Sequence, residues 1–596
     1  MIRLFLILII ISLQTFAQKN NSSEIAANEI KHHIYYLASD NLEGRFTGSK
    51  GADSAANYIK NCFQQFGLKS FSDENYFQEF PFIASIELKS NNSFEIFSDK
   101  KDIVIKLNNE YIPASFSGNI SVSGQLAFVG YGISAPNLNY DDYNEIDVRG
   151  KIIIVMKYNP DGGNPHSEFE KFSSYRFKAK IAKEKGAAGI IFVNGYFPKD
   201  DEDRLMRLIY DGASGVDSLG IIQAKRSVID ELFSNEKLNF KEWQEQIDKN
   251  KKPGSFIFKN STAKLNTGLQ AVTKYGKNVV GYLEGSDPEL KKQFIIIGAH
   301  YDHLGYGEVG SLYRGKEPKI HYGADDNASG TAGVLELAEK FSSNKDLLKR
   351  SIIFISFSGE EIGALGSSYF ADHLPVQKNE ILTMLNLDMI GRLNNENNLI
   401  VYGTGTSSIW KDLLNEDNRN YNFKLTFNDE GYAPSDQSSF YAKKIPVLFF
   451  FTGTHSDYHR PSDTPDKINY SGEESILNYV STLAYQIDTL SNKPDYINVP
   501  RKDSGKNISF RVYVGTVPDY AGQVDGLKIN GVNEGSPAQK GGLKGGDIII
   551  SFGGKKISNI YDYTYALSDF SPGDIVDVEV LRDSRKVNLK VELGAR

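Results

Sequence analysis

Seven ionisable side chains stand out because each follows or closely trails an apolar run. They are His300 and Asp302 in GAHYDHLG, Asp325 in GADDNASG, Glu360 and Glu361 in SGEEIGALGS, Asp388 in NLDMIG, and His459 in SDYHRPSDTPDKI. Nitrogen and oxygen donors drawn from separate segments suit a hard-to-borderline divalent metal, and zinc accepts His together with Asp or Glu. Cys62 is the single cysteine, so a zinc site built on several thiolates is excluded. The adjacent glutamates pose a geometric question, because neighbouring side chains in a strand point to opposite faces. The run SIIFISF ends at about Phe357, however, and Gly359 and Gly363 allow the chain beyond it to curl, so that both carboxylates can approach one site.

Taken singly, each of these signals has a structural explanation. A histidine at a strand end is commonly a hydrogen-bonded core residue, and a glutamate pair on a loop is commonly solvated. An Asp-Asp pair in a Gly/Ala/Ser loop often caps the next helix, and Asn327 or Ser329 could cap SGTAGVLELAEKF. Their joint order and context point to chemistry instead.

The elements that must position them lie between residues 279 and 490, where apolar strands such as QFIIIGAHYD, SIIFISFS, ILTMLNLDMIG and IPVLFFFTG alternate with amphipathic helices. This predicts an α/β fold: a mixed, mostly parallel sheet with helices on both faces. In such sheets ligands sit beyond the carboxyl ends of the strands, where the polar residues fall.

The order H-x-D, GADDNASG, GEE-x-G-x-x-GS, NLDMIG and a late His before RPSDTPDKI resembles the M28 family of dinuclear zinc exopeptidases, over roughly residues 30–110 and 266–492. The resemblance implies the zinc exopeptidase fold and two zinc ions per chain. It further implies that Asp325 bridges the ions, that His300 and Asp388 complete one site, and that Glu361 and His459 complete the other. Asp302 would hold His300 from behind and fix its tautomer. Glu360 is left as the general base that takes a proton from a metal-activated water and passes it to the leaving amine. Tyr458 matches a family position whose hydroxyl donates to the oxyanion. His303, His321, His373 and His455 match no ligand position and read as structural or surface residues. Asp326 reads as shaping the tight loop after Asp325, not as a ligand. Family members often carry a His after the SD pair of GYAPSDQSSF, where this chain has Gln437. Neither G-x-S-x-G in this region nor HEXXH is present.

Around this core the chain divides further. Residues 1–17 read as a signal peptide cleaved near Ala17–Gln18, with Arg3 before an apolar stretch too short to span a membrane. Export to the periplasm or the extracellular space is expected, with no membrane span in the mature chain. Residues 18–110 are assigned to the N-terminal part of the peptidase domain, with helices in EIKHHIYYLASD and SAANYIKNCFQQF. His32 and His33 are expected to be structural or surface residues, and Cys62 to be buried. The intervening NLEGRFTGSKG is Gly-rich and loop-like, and residue types alone suggest no role for it. Residues 111–265 are β-rich. FVGYGI, YDDYNEIDVRGKIIIVM and AKEKGAAGIIFV resemble an inserted protease-associated (PA) domain. The peptidase resumes over 266–492, a polar linker follows over 493–507, and 508–596 resembles a PDZ domain through GSPAQKGGLKGGDIIISF, with a peptide or chain end as its implied partner.

A net charge of −8 gives no electrostatic reason to expect nucleic acid as a partner. The expected function is a secreted dizinc aminopeptidase acting on peptide substrates. The alternatives on the same fold are a carboxypeptidase or a glutaminyl cyclase, and the alternative from another class is a non-catalytic binding scaffold.

Overall fold

The computed structural model describes residues 24–499 and 512–595, apart from 73–74, 100, 163–166, 199–202, 211–214, 217, 314, 316, 519–525, 533–534, 558–559, 568–569 and 584. The expected signal peptide and residues 500–507 of the expected linker lie outside the described residues. The chain forms two compact units, Met1–Phe80 with Lys277–Lys502, and Pro81–Gly276 with Asp503–Arg596.

The first unit is built on an eight-stranded sheet. Its strands in chain order are β1 (Phe77–Leu88), β2 (Leu269–Leu283), β3 (Phe294–His300), β4 (Ser351–Phe357), β5 (Ile381–Leu387), β6 (Asn398–Tyr402), β7 (Lys424–Asn428) and β8 (Val447–Phe451). In space they run β1-β2-β4-β3-β5-β8-β6-β7. The pairs β3–β4, β3–β5, β5–β8 and β6–β7 are parallel, whereas β2–β4 and β6–β8 are antiparallel. The sheet is therefore mixed with a parallel centre, as the alternating pattern predicts.

Strands β3 and β4 are buried along their whole length, and their side chains alternate between two cores. Ile295, Ile297, Ile352 and Phe354 join one core, together with residues of α1 (Ala27–Leu37), α2 (Lys50–Gln65), α3 (Gly330–Ser343) and α7 (Tyr470–Thr489). Phe294, Ile296, Ile353, Ile355 and Phe357 join the other, with Phe370 of α4 (Leu365–Asp372) and Phe440 of α6 (Gln437–Ala442). A strand with helices on both faces must be apolar at every position, which is why these runs lack the polar alternation of a half-exposed strand. A fifth helix after β6, α5 (Trp410–Asn418), buries Trp410 and Leu414 in the first core. Cys62 is buried there too, and His33 meets Tyr58 Oη at 2.7 Å through Nδ1.

In the second unit a separate eight-stranded sheet runs from Ser93 to Thr267, so it begins within the stretch assigned above to the peptidase. Its strand Ile152–Met156 alternates in the same way, with Ile152, Ile154 and Met156 in one core and Ile153 and Val155 in another. The C-terminal part has the strands Leu527–Val532, Ile548–Phe552, Ile575–Arg582 and Arg585–Glu592 in sequence along one sheet. Buried Asp547 there takes two 2.7 Å bonds from the Arg582 guanidinium. Among the described residues no helix is long and apolar enough to cross a membrane.

Candidate metal centre

Strands β3, β4 and β5 are adjacent and parallel, so their carboxyl ends open on the same edge. His300 is the last residue of β3, Glu360 and Glu361 lie just past β4, and Asp388 immediately follows β5. Beyond β4, Gly359 has φ +80° and Gly363 φ +110°. A side chain at Gly359 would also press on Leu365 and Phe80 at 3.3 Å. These left-handed positions turn the chain sharply, which is how both glutamates reach one site.

The donors form two groups that share one carboxylate. His300 Nε2 lies 3.5 Å from Asp326 Oδ1 and 3.4 Å from Asp388 Oδ1. On the other side, His459 Nε2 lies 3.3 Å from Asp326 Oδ2 and 3.2 Å from Glu361 Oε2. Asp326 thus presents one oxygen to each group. Two residue sets meet the spacing needed to hold a metal ion, His300–Asp326–Asp388 and His303–Asp326–Glu361.

This corrects the expectation for the doublet: the shared carboxylate is Asp326, and Asp325 turns away. Asp325 Oδ1 accepts from Gly391 N at 2.7 Å and Ser329 Oγ at 3.2 Å, and its Oδ2 meets His455 Nε2 at 3.1 Å. The physical reason is the loop between β3 and α3. Asp463 Oδ2 takes the backbone N–H groups of both Asp325 and Asp326, at 2.9 and 3.1 Å, and fixes their peptides. Asn327 then ties the loop to the end of β5 by donating to Leu387 O and accepting from Met389 N. His455, set aside from the sequence, is thereby part of the frame around the site.

His303 was also set aside, and it too belongs here. It is fully buried, with Nδ1 2.6 Å from Glu361 Oε1 and 3.9 Å from Asp326 Oδ2. The shorter separation is a hydrogen bond that orients Glu361. The only signal in the sequence was a second histidine in HYDH, three residues after His300.

Asp302 lies beside His300 as expected, with a different atom as the contact. Its carbonyl oxygen is 3.2 Å from His300 Nδ1, while its carboxylate Oδ1 is 3.7 Å away. That carboxylate accepts instead from Thr47 Oγ1 at 2.8 Å and Glu360 N at 3.2 Å. His459 is oriented by Gly310 O, 2.9 Å from its Nδ1. In both histidines an Nδ1–H bond to a carbonyl leaves the Nε2 lone pair free to ligate a metal ion beside the shared aspartate. Asp388 is held by Ser435 Oγ at 2.7 Å, and Asn386 links Ser435 to Gln437, so Gln437 belongs to the support beneath Asp388. Tyr458 stacks on His459 with ring centroids 3.8 Å apart.

The electrostatics are those of a carboxylate cluster seeking positive charge. Burial pulls His300 down, but Asp388, Asp302 and Glu360 push it well above its ordinary value. Burial likewise opposes charge on His459, and Asp326 and Glu361 push it up to about 11. Glu361 would be raised by burial, yet His303 and His459 hold it well below the usual carboxylate range. Glu360 behaves oppositely: desolvation, with Glu361, Asp436 and Asp388 nearby, lifts it far above that range against the pull of His300. Burial, then the carboxylates Asp326, Glu361, Glu360 and Asp388, keep Tyr458 protonated far above its usual range.

The residues fit a pair of divalent ions. Four ligands about 2.0–2.1 Å from a tetrahedral zinc lie about 3.3 Å from one another. The four donor separations around Asp326 span 3.2 to 3.5 Å. Asp388 Oδ1 is buried with no hydrogen-bond partner among the described residues, although it faces this group. The all-nitrogen-and-oxygen donor set is one that zinc accepts.

Residues 278–484 match the model of Peptidase family M28, and 500–593 match that of the PDZ domain. Leucine aminopeptidase 2 of Trichophyton equinum is 27% identical over 224 residues, 36% of this chain and 40% of that protein. The chain thus spans about two fifths of the fungal relatives it matches. Aminopeptidase YwaD of Bacillus subtilis is 23% identical over 459 residues, 72% of this chain and 86% of that one. Among solved structures, an aminopeptidase from Aneurinibacillus sp. strain AM-1 has a TM-score of 0.45 at 24% identity, covering 80% of this chain and 97% of its own. The match to the Peptidase family M28 model, residues 278–484, contains every residue of both donor groups.

Proposed function

We propose that the protein is a secreted dizinc aminopeptidase that removes N-terminal residues from peptides. The observation that carries this reading is the sharing of Asp326, with one carboxylate oxygen towards His300 and the other towards His459. On this reading His300, Asp326 and Asp388 hold one zinc ion, and Asp326, Glu361 and His459 hold the other. His303 keeps Glu361 in place through their hydrogen bond. Zinc bound there supplies the Lewis acidity that makes water a competent nucleophile near neutral pH.

The chain's own residues supply the rest. Glu360 receives the proton of the attacking water and delivers it to the nitrogen of the departing amine. Tyr458 retains its phenolic proton and donates to the oxygen that gains charge when the peptide carbonyl is attacked. The relatives named as aminopeptidases support this choice of reaction over the carboxypeptidase and cyclase alternatives. Export by a signal peptide at residues 1–17, an inserted PA domain and capture of a chain end by the PDZ domain complete the reading.

Metal analysis of the purified chain tests it, together with hydrolysis of aminoacyl substrates and of peptides blocked at either end. Two zinc ions per chain and cleavage only of free N-termini are expected. Cleavage of N-blocked peptides from the C-terminus would overturn the aminopeptidase assignment, and a chain that binds no zinc would overturn the whole reading.

A further inference from the structure

The segment NLEGRFTGSKG is about 250 residues from the first donor in sequence, yet it lies against the loop that joins β3 to α3. Arg45 is fully buried with φ +49°. Among the described residues its guanidinium has backbone carbonyls as hydrogen-bond partners: Tyr301 O at 2.7 Å, Tyr322 O and Gly323 O at 2.9 Å each, and Leu37 O. Tyr301 follows His300, and Gly323 opens the turn into Asp325–Asp326. One planar side chain therefore closes both ends of the loop that carries Asp302 and His303.

The neighbours of Arg45 grip the same loop. Gly44 O accepts from Gly305 N at 2.9 Å, and Arg45 O accepts from His303 N at 3.3 Å. A Cβ on Gly44 would fall 2.5 Å from Gly305 O and 2.6 Å from His321 O, so only glycine permits this approach. Thr47, also buried, donates to Asp302 Oδ2 at 2.8 Å, and Asp302 Oδ1 accepts from Glu360 N. A chain of contacts thus runs from Thr47 through Asp302 to the backbone of Glu360.

We infer that Gly44–Thr47 is the positioning element of the metal centre, with Arg45 setting the loop that bears Asp302, His303 and Asp326, and Thr47 setting Asp302 beneath Glu360. Burial lowers the pKa of Arg45 to about 10, while Asp302, Asp326, Asp463 and Glu361 pull the other way. Partners behind metal ligands typically contribute 10- to 100-fold in affinity. The inference rests on the two-ion reading.

The test uses the full chain and the variants Thr47→Val, Arg45→Lys and Arg45→Met. Zinc affinity is read by chelator competition, ligand geometry by the absorption spectrum of the cobalt-substituted protein, and kcat and KM separately. Thr47→Val and Arg45→Lys are expected to lose about 10- to 100-fold in zinc affinity and to shift the cobalt spectrum. At saturating zinc, kcat should fall with KM nearly unchanged. Lysine does not rescue, because an ammonium cannot reproduce the planar fork. If Arg45→Met fails to fold, Thr47→Val, which removes one hydroxyl, decides alone. Wild-type zinc affinity and cobalt spectrum in Thr47→Val and Arg45→Lys would overturn the inference while leaving the two-ion reading intact. A wild-type chain without zinc overturns both.

Discussion

Asp325 and Asp326 are neighbours in sequence, yet their carboxylates face different environments. Asp325 is locked to Gly391 N at 2.7 Å and meets His455 at 3.1 Å, whereas Asp326 lies between His300 and His459. Asp463 makes this division by binding both backbone N–H groups, so the doublet cannot rotate as a unit. The two substitutions should therefore fail differently. Asp326→Asn should lose zinc and lower kcat/KM by about 1,000-fold or more, the equivalent of several kcal/mol of charge stabilisation. Asp325→Asn should keep zinc and lose stability by about 1–3 kcal/mol through its weakened buried acceptor. Zinc stoichiometry and thermal unfolding separate the two, and the assignment fails if Asp325→Asn is the variant emptied of metal.

Glu360 is expected to serve chemistry without holding metal. Glu360→Gln should retain the wild-type zinc content and lose about 100- to 10,000-fold in kcat, the usual range for a general base. Glu361→Gln should lose zinc as well as rate, because its Oε2 faces His459 and its Oε1 faces His303. A Glu360→Gln protein that is fully loaded and fully active would refute the division of roles.

Chelation should destabilise one part of the chain selectively. A ligand present at about 1,000 times its Kd stabilises the native state by about 4.1 kcal/mol. For a unit of about 150–250 residues each kcal/mol shifts Tm by about 2–4 °C. Zinc removal should therefore lower the transition of the part that contains residues 278–484 by about 8–16 °C and leave the Pro81–Gly276 region unmoved. Calorimetry with and without chelator reads this directly. A uniform shift of all transitions would contradict a metal site confined to the first unit.

Glu473 offers a pH-dependent test away from the donors. It is fully buried in α7, both carboxylate oxygens lack a hydrogen-bond partner among the described residues, and burial, with Asp325 and Glu336 adding, raises its pKa well above 4.5. A raised folded-state pKa gives stability that is full below the unfolded value and lost as pH rises towards the folded one. Glu473→Gln removes that loss, so the variant should gain stability relative to wild type at pH 8 and not at pH 4. A gain of about 1 kcal/mol would appear as about 2–4 °C in Tm. A wild-type-minus-variant difference that does not change with pH would show that Glu473 does not titrate as described.

Much of the architecture was legible because it depends on local patterns. Continuous apolar runs such as FIIIGAH and SIIFISF can be buried on both faces only in a covered sheet, and parallel strands bring their carboxyl ends to one edge. His300, Glu360, Glu361 and Asp388 were locatable for that reason, since each stands at a strand end or in the short turn just past it. The limits of the Ser93–Thr267 sheet were less legible, because short edge strands such as Ile103–Ile105 carry little pattern. What the sequence determined, then, is which segments meet and which donor types they bring. Tertiary structure decided which atom of each segment faces the centre: Asp326 over Asp325, a role for His303, the carbonyl of Asp302 towards His300, and the grip of Arg45 and Thr47 from across the chain. Those choices depend on loop torsions set by long-range hydrogen bonds from Asp463, Asn327 and Arg45, and no periodicity in a single segment encodes a partner 60 or more residues away.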